Sequence, residues 1–193
     1  GEPVTIPNPV AALELGVATM YQELDVVDGL TITENIFLGH ELASAGVLHR
    51  GAANRRSREL LTRLGHGDLN PNREVGTLSA AGKQIVSMAR ALSHDAKLIV
   101  MDEPSAVLDS EEVNNLFRVV EELTEQGVAI VYISHRLEEI RRIGDRITVI
   151  KDGASMASGL AVEDTPTPQL ITLMTGREIE HVFPPRRPVP ADA

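Results

Sequence analysis

The chain has 193 residues, 42% of them hydrophobic, with 18 Lys and Arg against 28 Asp and Glu, so its formal charge is −10 at pH 7. That length allows one sizeable core with a smaller insertion, and the acidic balance argues against general binding to nucleic acid, which needs clustered Lys and Arg. The absence of cysteine excludes a disulfide framework and thiolate chemistry and fits the cytoplasm. With no apolar run of membrane-span length and no signal peptide, work at a membrane would go through a partner.

Asn8-Pro9, then Val10 to Leu15 and Gly16, reads as N-cap, first-position proline, short helix and terminal glycine. Val17 to Tyr21 is predicted as a strand that ends in the polar pair Gln22-Glu23. Thr31 with Glu34 makes a capping box, and Ile36, Phe37 and Leu38 continue a second helix to Gly39. A third helix is predicted over Arg50 to Leu64, with Leu60, Leu61 and Leu64 on its buried side. Its five arginines, at 50, 55, 56, 58 and 63, suit either an acidic partner or a solvated face. Ser79 then caps a helix on which Ile85, Val86, Met88, Ala89 and Leu92 recur at helical spacing. Ala80, Ala81 and Gly82 leave the first-turn N–H groups open to an anion, although capping alone also explains Ser79.

Leu98-Ile99-Val100-Met101 reads as a strand buried on both faces, the kind found in parallel sheets. It stops at Asp102-Glu103-Pro104, and ligands of open α/β sheets lie just outside such a strand end. Two adjacent carboxylates there suit a magnesium ion with a phosphate and an attacking water, or a solvated acidic turn. Asp109 with Glu112 caps a helix lined by Val113, Leu116, Phe117, Val120 and Leu123, and Val128 to Ile133 is a second apolar strand. Residues 98 to 133 are thus a βαβ unit with parallel strands. Parallel strands present their carboxyl ends together, which brings Ser134-His135 to the edge that holds Asp102 and Glu103 and makes His135 a catalytic or phosphate-sensing candidate. A short helix over Arg136 to Ile143, a hairpin around Asp152-Gly153 and a helix from Thr167 to Gly176 complete the reading. The proline-rich stretch 184 to 193 reads as an extended linker or tail.

Taken together, Gln22 after a strand, LSAAGKQ at 78 to 84, LIVMDEP at 98 to 104, SAVLD at 105 to 109 and ISHR at 133 to 136 resemble the ATPase domain of ATP-binding cassette transporters. ENIFLGHE at 34 to 41, GVAIVYISHRLEEI at 127 to 140, DRITVIKDG at 145 to 153 and TGREIEHVFP at 175 to 184 extend the resemblance toward the carbohydrate importers of the ribose, galactose and xylose type, as the first of two tandem domains. The resemblance implies an α/β fold like that of P-loop NTPases, with a mostly parallel sheet and a helical subdomain. In that division 1–24 and 91–183 form the ATPase core, 25–90 the helical subdomain with the signature motif, and 184–193 the linker.

The resemblance further implies that Asp102 and Gln22 support magnesium, that Gln22 links the metal to the membrane subunit, and that Glu103 is the general base. His135 would contact the γ-phosphate of ATP. Ser79, Ala80, Ala81 and Gly82 would bind the γ-phosphate of a nucleotide held by an opposing ATPase domain, with Asp109 in the loop crossing to it. Partners implied are that second ATPase domain, transmembrane permease subunits and, indirectly, a periplasmic or extracellular sugar-binding protein, at the cytoplasmic face of the membrane.

Two departures qualify the resemblance. The family's Leu-Ser-Gly-Gly-Gln has Ala81 and Gly82 in its last two positions here, and no G-x-x-x-x-G-K-[ST] phosphate loop is present in the 193 residues. The expectation is therefore a cassette that lacks its N-terminal strands and phosphate-binding loop. Such a chain would be inactive by itself, would show apolar surface where those parts would pack, and would be prone to self-association. A degenerate, non-catalytic binding module is the alternative, against which the intact Asp102, Glu103 and His135 speak.

Overall fold

The computed structural model describes residues 3–23, 25–44 and 46–176, and the chain divides into two units between His135 and Arg136. The expected GRE and FP motifs after Gly176 and the proline-rich stretch lie outside the described residues.

In the first unit, Asn8 accepts from the Ala11 N–H at 2.9 Å and Pro9 opens α1, Pro9–Glu14. Gly16, at φ +87°, turns the chain into β1, Val17–Met20. Its carbonyl accepts from the N–H groups of Lys97 and Leu98 at 2.7 and 3.1 Å, so this turn also sets the start of the central strand. The capping box of Thr31 and Glu34 forms as expected on α2, Ile32–Ile36, but the helix stops before the predicted Gly39. Phe37 and Leu38 follow in a turn, and Phe37 is still buried. A small hairpin that the sequence reading lacks, β2 (Ala43–Ser44) and β3 (Val47–Leu48), precedes α3, Arg50–Arg63. A 3-10 turn, Val75–Thr77, leads to α4, Ala80–Ser93. Helices α2, α3 and α4 pack against one another around Ile32, Ile36, Leu60, Leu61, Ile85 and Met88.

The central strand β4, Leu98–Asp102, pairs parallel with β1 on one side and with β5, Ala129–Ile133, on the other. Between β4 and β5 runs α5, Ser110–Glu125, whose Leu116, Phe117, Val119, Val120 and Leu123 are buried. Phe117 meets Tyr132 of β5 edge-on, with ring centroids 6.3 Å apart.

The expectation that the strand Leu98 to Met101 is buried on both faces is corrected here. Ile99 and Met101 are 2% exposed, whereas Leu98 and Val100 on the opposite face are only partly covered, and on β5 Val131 and Ile133 are 46% and 45% exposed. One face of the three-stranded sheet is core and the other is open, because side chains alternate along a strand and the described residues cover one side. An apolar run is therefore evidence of intended cover, which the described part of the chain does not supply.

The second unit carries α6, Leu137–Ile143, then β6, Arg146–Lys151, and β7, Ala154–Ala161, which pair antiparallel in a sheet of their own. Asp152 (φ +51°) and Gly153 (φ +76°) make its turn, as the Asp-Gly pair predicts. Helix α7, Thr167–Thr175, lays Leu170 against Ile147, Val149 and Val162.

Candidate functional site

Asp102 is the last residue of β4 and stands opposite Ile133, the last of β5. The ladder extends one step further, since the Glu103 N–H donates to the Ile133 carbonyl at 3.0 Å. Ser134 and His135 must then leave β5 beside Glu103, as the parallel pairing requires. The backbone of Glu103 turns out of the strand with φ +47°. A non-glycine residue held in that left-handed region costs on the order of 1–3 kcal/mol and persists only where its surroundings over-determine it.

Those surroundings are polar contacts from several elements. Glu103 Oε1 accepts from the His135 backbone N–H at 3.2 Å and lies 2.8 Å from His135 Nδ1. A carboxylate only accepts, so Nδ1 carries the proton. The His135 side chain is 73% exposed, while that of Glu103 is 15% exposed. Glu103 Oε2 is buried and has no hydrogen-bond partner among the described residues. An orphaned buried carboxylate oxygen is costly. On the helix side, the buried side chain of Gln84 donates from Nε2 to the Pro104 carbonyl at 3.1 Å.

Beside this pair an open cleft of about 440 Å³ is lined by Tyr21, Gln22, Glu23, Asp25 and Asp102, at the carboxyl ends of β1 and β4. Asp25 is anchored to α4: Oδ1 accepts from Ser87 Oγ at 3.1 Å, Oδ2 lies 3.4 Å from Arg90 Nη1, and Arg90 also donates to the Asp25 carbonyl at 3.0 Å. No group of three or more His, Asp or Glu among the described residues converges on a metal position. Magnesium asks for less, since it keeps several waters and takes one or two carboxylates together with phosphate oxygens. Asp102 and Gln22, which line one cleft, supply a carboxylate and an amide, oxygen donors of the type magnesium takes.

The remaining expected residues stand apart from this cleft. Ser79 caps α4 by accepting from the Gly82 N–H at 3.1 Å, and the exposed Ser79 and Ala80 begin a turn completed by Ala81 and Gly82. Asp109 caps α5, its Oδ1 accepting from the N–H groups of Glu111 and Glu112 at 2.8 and 2.9 Å. Neither turn lines the Gln22–Asp102 cleft. The sequence reading missed Gln84, Ser87 and Asn35. For Gln84 and Ser87 the signal was available, because each is a polar residue among the apolar residues of α4. Asn35 is fully buried, accepts from the Val27 N–H at 2.7 Å and donates to the Val27 and Thr31 carbonyls at 3.0 Å, which shapes the segment after Gln22. No described helix is long and apolar enough to cross a membrane.

The ABC transporter family model matches residues 1–106. A ribose import ATP-binding protein of Rubrobacter xylanophilus, RbsA 1, is 44% identical over 192 residues, which is 100% of this chain and 38% of that protein. The ribose import ATP-binding protein RbsA 2 of Streptomyces coelicolor is 46% identical over 187 residues, 97% of this chain and 36% of its own length. The chain therefore spans under two-fifths of these curated relatives. Among solved structures, a dimeric ATP-binding cassette in a post-hydrolysis state bound to ADP and Pi matches with a TM-score of 0.71 at 23% identity, over 80% of this chain and 68% of that one. At that identity the likeness speaks for the fold, the mostly parallel α/β architecture of cassette ATPases.

Proposed function

We propose, on the premise that this chain belongs to the ABC transporter family, that it furnishes the water-activating half of an ATP site in the ATPase subunit of a sugar importer. The observation that carries the reading is Glu103, held by His135 at the sheet edge that also bears Asp102, with its Oε2 buried and without a hydrogen-bond partner among the described residues. In this mechanism the Glu103 carboxylate orients one water and takes its proton as the water oxygen attacks the γ-phosphorus of ATP; ADP departs with the electron pair of the broken P–O bond. The Nδ1–H of His135 fixes the other carboxylate oxygen, and its exposed ring contacts the γ-phosphate. Asp102 and Gln22 hold magnesium, which when bound neutralises charge on the phosphate oxygens.

The other assignments follow the family. Ser79 with the turn Ala80, Ala81 and Gly82 receives the γ-phosphate of a nucleotide on an opposing ATPase domain, where N–H groups and the positive end of α4 favour an anion. Asp109 lies in the loop crossing to that domain. Residues 25–90 act as the helical subdomain that docks on transmembrane permease subunits, with Gln22 as the link, while 1–24 and 91–183 form the ATPase core. The assembly works at the cytoplasmic face of the membrane, its sugar delivered by a separate binding protein. Ribose is the sugar named in the relatives RbsA 1 and RbsA 2, which favours a pentose here.

A chimera tests this. Joining a segment that carries a G-x-x-x-x-G-K-[ST] phosphate-binding loop to this chain should yield magnesium-dependent ATP hydrolysis. Glu103→Gln in the chimera should retain Mg-ATP binding and lose turnover by about 100-fold or more, the scale of a general base. Turnover unchanged by Glu103→Gln, with Mg-ATP affinity lost instead, would reverse the roles given to Asp102 and Glu103.

A further inference from the structure

On α4 the polar residues Gln84, Ser87 and Arg90 recur at a spacing of three, which places them on one stripe of a helix otherwise buried through Ile85, Val86, Met88 and Ala89. Gln84 and Ser87 are each 3% exposed. Leucine or methionine would fill such positions without the desolvation cost of an amide or hydroxyl. All three spend their polar atoms on the candidate site: Gln84 on the Pro104 carbonyl, and Ser87 and Arg90 on Asp25 in the wall of the Gln22–Asp102 cleft.

The Glu103–Pro104 turn needs such support. A proline biases the residue before it toward extended backbone, yet Glu103 sits at φ +47°. Two of its anchors come from the β5 side, the Ile133 carbonyl and the His135 N–H. Gln84 supplies an anchor from the opposite side, on α4.

We propose that Gln84 is a positioning residue for Glu103: its amide holds the Pro104 carbonyl, keeps Glu103 in the left-handed conformation that aims its carboxylate at His135, and makes the base sensitive to the placement of α4. This rests on the role given to Glu103 above. Since α4 begins at Ser79, displacement of that turn by a ligand would be transmitted to the base of the same chain through one rigid helix, with Gln84 as the contact.

Amide hydrogen exchange by NMR on the 193-residue chain tests the proposal without nucleotide, so its failure and failure of the ATPase reading are separately visible. Gln84→Met, close in length and apolar, should speed exchange of the Glu103 and His135 N–H groups by about tenfold or more, the scale of a lost buried hydrogen bond. Amides within β4 and β5 should keep their rates. Ser87→Ala, which removes a buried hydroxyl of the same stripe without touching Pro104, should leave the Glu103 and His135 amides unchanged. In the unaltered chain, the Gln84 carboxamide protons and the Glu103 N–H should share one denaturant dependence, as members of one opening unit. This second measurement decides the matter even if Gln84→Met does not fold. Uniform acceleration across the sheet in Gln84→Met, no acceleration at Glu103, or separate openings of the two groups would overturn it.

Discussion

The carboxylate edge at Asp102–His135 and the turn at Ser79 are built in opposite ways. Glu103 is held by partners far away in sequence, His135 and, through Pro104, Gln84, in a backbone conformation that is strained, with one oxygen left over. The Ser79 turn is made by neighbours alone, its hydroxyl capping a helix three residues on, at no strain and largely in solvent. A site whose geometry is enforced from several elements is preorganised for chemistry on what binds beside it. A turn that is relaxed and largely exposed is accessible to a ligand that another body brings. The tasks proposed for the two differ in the same sense.

The sharpest way to break this contrast is activity in a complete, two-domain ATPase. Glu103→Gln should lower hydrolysis at its own site by about 100-fold or more, whereas Ser79→Ala should spare that site and impair the opposing one. Equal loss at one and the same site from both substitutions, read by single-site turnover, would erase the distinction. The isolated chain sharpens it further. Without a glycine loop and lysine to cradle the phosphates, attraction for ATP falls to the metal-binding carboxylates, and calorimetric titration should show Mg-ATP binding only weakly or not at all. Submicromolar affinity would mean that a second phosphate site exists.

The open sheet face gives the next effect in size. Ile99→Ala on the covered face of β4 should destabilise the first unit by about 2–5 kcal/mol through transfer and cavity terms. Val131→Ser on β5, where the residue is 46% exposed, should change stability by no more than about 0.5 kcal/mol and should reduce self-association seen by light scattering. A large loss of stability from Val131→Ser in denaturant melts would show that this face is packed in solution.

Much of this arrangement is legible in the residues. Two apolar runs separated by one capped helix place Asp102, Glu103 and His135 at one edge, because parallel strands end together. The capping boxes at Thr31 and Asp109 and the Asp152-Gly153 turn form where local chemistry demands them. The left-handed backbone of Glu103 is not legible, since the proline that follows argues for the reverse and the anchors that enforce it come from β5 and α4. The hairpin of β2 and β3 is silent for another reason: Ala43, Ser44, Val47 and Leu48 are all exposed, so no burial pattern marks it. Apolar content misleads at β5, where β-branched residues promise cover on both faces and receive partial cover on one.

The smallest effect concerns His40 and His94, which lie away from both regions and separate their chemistry from the stability of the helices. The two rings lie with centroids 3.9 Å apart at a tilt of 33°, and His40 Nε2 lies 2.7 Å from Ser93 Oγ. Burial lowers the pKa of His40 below its ordinary 6.5; a hydrogen bond at Leu38 and the charge of Glu41 act the other way, and Arg90 adds to the lowering. For His94 burial again comes first, followed by the charges of His40 and Arg90, all lowering. The sign is fixed by linkage: the unfolded chain takes up protons near pH 6.5 that the folded chain refuses, so the unfolded state gains on acidification. Stability should be level above about pH 7 and fall progressively as pH drops through 6.5. Replacing both, as His40→Gln with His94→Gln, should flatten the melting temperature between pH 7.5 and 5.5 while leaving Glu103→Gln and Ser79→Ala with their separate effects on hydrolysis. A pH slope in that window that survives the double replacement would place its origin in other groups.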